Sequence, residues 1–158
     1  MARDLVFEET YPHRPELVWR ALTERDALAA WLMENDFEPR LGHRFRFRAK
    51  PVGGWDGIVE SEVLELDPPR RLALAWKSNL LDTRVTFTLE PAGAGTRLRL
   101  VHSGFQGVRG MMIKLVLGSG WKGMVRTGIP AVAARLARGE TLAPSGCADR
   151  AGGAESGT

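Results

Sequence analysis

Cysteine, tyrosine and histidine are scarce in this chain: one Cys, one Tyr and three His among 158 residues. The lone Cys147 has no partner for an internal bridge, which excludes a disulfide-stapled secreted fold. His13, His43 and His102 share no metal-ligand spacing, so no zinc or di-metal constellation can be assembled and no metal or cofactor is expected. No apolar run approaches the ~20 residues that span a bilayer. The first residues mix Arg3, Asp4, Glu8 and Glu9 with apolar side chains and lack the apolar stretch of a secretory leader, so the expectation is a cytoplasmic protein without an integral membrane segment. The G-x-S-x-G elbow, the P-loop and H-E-x-x-H are also missing, and no nucleophile–base pair can be identified.

What the chain does have is ordinary for one soluble domain. Hydrophobic residues make up 44% and charged residues 26%, and a chain of this length can bury roughly two-thirds of its unfolded surface. The net charge is only +3, but it is unevenly placed. Residues 105–138 carry Arg109, Lys114, Lys122, Arg126, Arg135 and Arg138 and no acid. Such a segment is either a solvated helix face or a surface for an anionic partner. Residues 139–158 are rich in Gly, Ala and Ser without apolar period and read as a disordered tail.

Periodicity supplies the elements. Leu5 to Tyr11 alternates as a strand, and Pro15 suits the first turn of a short helix to Leu22. A second helix follows from Glu24 to Met33, with Leu28, Trp31 and Leu32 on one face. From Arg44 the period is two. Strands are expected at 44–48, 57–66, 72–76, 85–89 and 97–102, joined by Pro- and Gly-containing turns. In the last element Trp121, Val125, Gly128, Ile129, Val132 and Leu136 fall within an arc of roughly 100° on a helix, and Gly139 ends it. Pro130 lies in its middle and predicts a kink. The order implies an α+β fold: a curved antiparallel sheet around a long C-terminal helix, with two short helices after the first strand. A ligand cavity between sheet and helix is the expected consequence.

Candidate site residues follow from phase. His102 is in step with Leu98 and Leu100 and points to the core, either as a satisfied core histidine or as a polar group for a ligand or acid/base step. Phe45, Phe47, Trp55, Trp76, Phe87, Trp121 and Val125 supply apolar walls or plain core. Glu60 and Glu62 face the cavity if Leu64 and Leu66 point inward, and face solvent if Val59 and Val63 do. A bulge would change phase partway. Arg44, Arg46 and Arg48 oppose Phe45 and Phe47 and face water, which argues against a nucleic-acid motif. Gly118-Ser119-Gly120-Trp121-Lys122-Gly123 fits G-x-G-x-x-G literally, but no parallel strand follows it, so the dinucleotide reading fails.

Three stretches carry a resemblance: Arg20-Ala21-Leu22-Thr23 with Leu28-Ala29-Ala30-Trp31; Asp67-Pro68-Pro69-Arg70-Arg71-Leu72 up to Trp76; and Leu100-Val101-His102-Ser103-Gly104-Phe105 with Gly120-Trp121. Together they resemble the bacterial family named for similarity to the activator of heat-shock protein 90 ATPase, within the START-like, helix-grip (SRPBCC) superfamily. The resemblance implies that residues 1–138 form a START-like domain with a hydrophobic cavity. It implies a hydrophobic, lipid-like or aromatic small molecule as partner, or an enzyme of polyketide cyclase or hydrolase type using the same cavity, or an ATPase activator acting through its surface. One departure is the apolar run Met111, Met112, Ile113, Lys114, Leu115, Val116, Leu117, where many relatives are polar. It reads as core, a lid, a membrane-touching turn, or a contact with a second copy or another protein through Met111, Met112, Ile113, Leu115 and Leu117.

Overall fold

A computed structural model of the chain describes residues 4–140 and Leu142. Strand β1 (Leu5–Tyr11) leads into helices α1 (Pro15–Thr23) and α2 (Arg25–Trp31). Strands β2 (Glu34–Asn35), β3 (Arg44–Arg48), β4 (Ile58–Asp67), β5 (Arg71–Lys77), β6 (Asp82–Ala92) and β7 (Gly95–Ser103) follow, and then helix α3 (Gly107–Gly123). A π turn over Met124–Gly128 joins α3 to α4 (Ile129–Ala137). The seven strands form one antiparallel sheet in the order β1-β7-β6-β5-β4-β3-β2. β1 and β2 therefore lie at opposite edges, and α1 and α2 must carry the chain across the inner face between them. This is the expected helix-grip α+β fold, with a curled sheet and a long C-terminal helical element.

Alternation decides which face is core. Phe45 and Phe47 on β3, Leu72, Leu74 and Trp76 on β5, Val85, Phe87 and Leu89 on β6, and Leu98 and Leu100 on β7 are all buried. The register sets β4 as well. Phe45 pairs with Ser61 and Phe47 with Val59, and cross-strand partners share a face. Burying both phenylalanines thus forces Val59, Ser61 and Val63 inward. The pairing shifts between Val63 and Glu65, after which Leu66 opposes Leu72 on the inner face. One extra residue at this bulge converts one phase into the other. Both registers conceivable for this strand exist, each in its own half.

The final helix starts earlier than its apolar stripe suggests. Residues 111–117 form the middle of α3, not a separate segment before it. Pro130 is accommodated by the wide turn just ahead of it. A proline in an α-helix lacks one N–H and its ring crowds the carbonyl four residues back. In the π turn the Ile129 N–H reaches Met124 O instead. The next donor in that register would be Pro130, which has none, so the Val125 carbonyl is left over. The Tyr11 hydroxyl donates to it at 2.5 Å. Burial, and secondarily the charge of Glu9, holds the Tyr11 phenol well above its ordinary pKa, consistent with a neutral donor. At the far end Gly139 leaves the helix with positive φ. Leu142, assigned to the tail by composition, is apolar and is buried with the core. Thr141 and residues 143–158 of that tail lie outside the described residues.

Tyr11→Phe removes the hydroxyl but keeps the ring, leaving a buried carbonyl unpaired. It should cost about 1–3 kcal/mol, read as a lower urea midpoint with unchanged slope.

Candidate functional site

The inner face of the sheet supplies a row of aromatic rings. Phe37 meets Phe45 at 5.3 Å between centroids, Phe45 meets Phe47 at 5.2 Å, and Phe47 meets Trp76 at 5.2 Å. Trp76 in turn meets Trp121 of α3 at 5.5 Å, and Phe87 lies 6.3 Å from both Trp121 and Trp31. Edge-to-face and tilted contacts at these separations are favourable packing. Val125 and Trp121 are buried on the helical side. The residues expected to wall a cavity are thus brought together, and they touch one another: the Trp121 indole occupies the middle of the space between sheet and helix.

His102 is bonded through both ring nitrogens. Its Nδ1 accepts from the Trp121 indole N–H at 3.0 Å. That acceptance places the proton on Nε2, which donates to Thr83 Oγ1 at 2.7 Å, and Thr83 donates onward to the Trp76 carbonyl at 2.8 Å. The ring also lies 4.6 Å from the Phe105 ring. Burial lowers the His102 pKa to about 3, because no acid stands near enough to offset the lost hydration of an imidazolium. This is a neutral histidine satisfied on both sides, with no nitrogen free for proton transfer in this conformation.

The other expected residues separate. Trp55 is half-buried in the β3–β4 loop, where its indole N–H donates to Ile58 O at 3.0 Å. Glu60 and Glu62 do not face the interior. The same pairing that buries Phe45 and Phe47 turns them outward, where Glu60 lies 3.4 Å from Arg46 and Glu62 3.5 Å from Arg44. They line an open depression of about 510 Å³ on the outer face, with Arg44, Arg46, Lys77 and Asp36. Among the described residues no group of three or more His, Cys, Asp and Glu could hold a metal ion. Ser61 is different from all of these. It is buried on the inner face, and its Oγ has no hydrogen-bond partner among the described residues.

A family profile described as "Activator of Hsp90 ATPase homolog 1-like protein" matches residues 12–134. The chain belongs to this family. Among solved structures, the protein MLL2253 from Mesorhizobium loti is 34% identical, covering 88% of this chain and 100% of that one with a TM-score of 0.75. The Bacillus halodurans protein BH1534 is 24% identical, covering 84% and 99% with a TM-score of 0.71. The Aha1 dimer from Colwellia psychrerythraea is 21% identical, covering 82% and 96% with a TM-score of 0.69. The latter two likenesses speak for the fold alone. No curated protein matches the sequence.

For this member of the family, sequence reasoning missed Thr83, Ser61 and Phe105. Thr83 is in phase with Val85 and Phe87, so a longer strand would have placed it inward. Ser61 is in phase with Val59 and Val63, and the pairing of β3 decides that phase.

The His102 arrangement gives a pH signature. Its folded pKa lies below the unfolded value of about 6.5, so the unfolded chain binds the extra proton. The stability it contributes is complete above pH 6.5 and is lost as pH falls toward 3. Between pH 6.5 and 4.5 the urea-unfolding free energy should fall by up to about 1.4 kcal/mol per pH unit, and His102→Gln should flatten that slope.

Proposed function

We propose that this family member binds an apolar small molecule bearing one polar group, held between the sheet and α3 when α3 rises. The observation that carries this reading is how lightly α3 is anchored. It spans 17 residues, yet only Gly110 and Trp121 are buried. Gly107, Gly110, Gly118, Gly120 and Gly123 all lie within it, and an interior glycine weakens a helix by about 1 kcal/mol relative to alanine. Its fixed points are Trp121 and the π turn that follows.

Outward movement of α3 withdraws the Trp121 indole from Trp76, Phe87 and His102. The space it leaves is walled by aromatic surface, and burial of a guest there is favourable at about 25 cal/mol per Å² before entropy costs. Two polar atoms face the guest. His102 Nδ1 loses its indole donor and becomes a free acceptor. Ser61 Oγ, opposite Phe45, is an unsatisfied group that a ligand hydroxyl, carbonyl or carboxylate completes. Binding without turnover fits this arrangement, since among the described residues His102 is the only titratable group beside Trp121, Trp76 and Phe87.

Native mass spectrometry of freshly purified protein should show a co-purified small molecule, and mild denaturation should release it. Ser61→Ala should raise stability by about 1 kcal/mol by removing an unpaired hydroxyl and weaken retention of the guest. Gly120→Ala with Gly123→Ala should raise the thermal midpoint and slow uptake of an apolar fluorescent probe, since a Cβ meets nothing closer than 3.9 Å at Gly120 and nothing within 4 Å at Gly123. A protein that carries no guest and takes up no apolar probe overturns the reading.

A further inference from the structure

We infer that the outward face of α3 docks on an anionic lipid bilayer. Val108, Met112, Leu115 and Val116 are 80%, 64%, 78% and 73% exposed, and Met111 is 37% exposed. At 100° per residue these five side chains span an arc of about 140°, and it is the arc turned away from the sheet. Surface helices of a free-standing domain put polar groups there, whereas α3 carries apolar side chains on this outward arc as well as Trp121 on the inward side. Cations flank the stripe on both sides. Arg109 lies about 20° beyond Val116 and Lys114 about 60° beyond Met111 in the same projection. Toward the C-terminus Lys122 falls within the stripe's own arc in the same projection and closes it with a cation, and Arg126 follows beside Glu9 at 3.8 Å. No acid occurs anywhere in residues 105–138.

Charge selects the occupant. Two copies meeting through this face would press Arg109 and Lys114 of one against the same cations of the other, without an acid on the stripe to pair them. A bilayer with anionic headgroups accepts both features together. Aliphatic and Met side chains enter the acyl boundary, while Lys and Arg extend their charged ends to the headgroup phosphates. Among the described residues no helix is long and apolar enough to cross a membrane, so α3 lies in the interface plane. The face points away from the interior and is available with or without a guest inside, so this inference stands independently of the cavity reading.

The test is co-sedimentation of the full chain with vesicles of phosphatidylcholine alone and of equal parts phosphatidylcholine and phosphatidylglycerol. The expected result is at least about tenfold stronger binding to the anionic vesicles, reduced several-fold at high salt. Leu115→Glu with Val116→Glu, at exposed positions, should abolish binding with circular dichroism and thermal midpoint retained. Arg109→Glu should weaken it, and Arg99→Glu on the sheet's outer face should not. Equal binding to both vesicles, binding to neither, or persistence in the Glu variant overturns the inference. So does a dimer seen by light scattering without vesicles that Leu115→Glu dissolves, which would assign the face to a second copy.

Discussion

A buried imidazole has to find a partner for each nitrogen, and here one ring draws on four elements to do so. His102 stands on β7, takes its donor from α3, gives its proton to Thr83 on β6, and through Thr83 reaches the Trp76 carbonyl on β5. Every bond in this series has a direction. The indole N–H of Trp121 can only donate, so the histidine tautomer is fixed, and the threonine hydroxyl has one proton to pass to the carbonyl. The helix is therefore registered on the sheet by polar geometry, and the surrounding Trp31, Phe87 and Phe105 rings complete the packing. A group of this kind contributes order more than net stability, because each bond formed replaces one to water.

The fold was legible in the sequence because alternation and turn chemistry are local. The strand of Phe45 and Phe47, the breaks at Pro68-Pro69 and at Gly93, and the apolar stripe of the last helix each identify themselves. The facing of Glu60 and Glu62 was not legible from β4, whose apolar residues fit two phases. The neighbouring strand removes the ambiguity, and the bulge after Val63 explains why both phases looked plausible. His102 could be placed inward by phase, but its partners are 19 residues away on either side, a distance no local pattern encodes. The start of α3 was missed for a different reason: its apolar side chains face outward between Arg109 and Lys114, and only Gly110 and Trp121 are buried, so no core-facing period marks its first turns.

On the outer face of the sheet the chemistry is different. Glu65 bridges Arg71 and Arg84, Glu8 lies near Arg97 and Arg99, Arg44 and Arg46 pair with acids on β4, and Arg48 pairs with Asp36 just after β2. The hydrogen bond from Arg71, followed by the charges of Arg71 and Arg84, holds the Glu65 carboxyl below its ordinary range. Exposed pairs of this sort add little individually. Their more important effect is to balance charge across the outer face, in contrast with α3, where cations stand largely without acids.

The bond between Tyr11 and the Val125 carbonyl joins residues 114 positions apart, and β1 has its ladder partner only in β7. The N-terminal strand therefore has nothing to pair with while the ribosome is still making the middle of the chain. Its ladder must wait until β7 has been made, and its bond to the last helical element until Val125 has followed, so β1 is among the last strands to be secured although it precedes the other six.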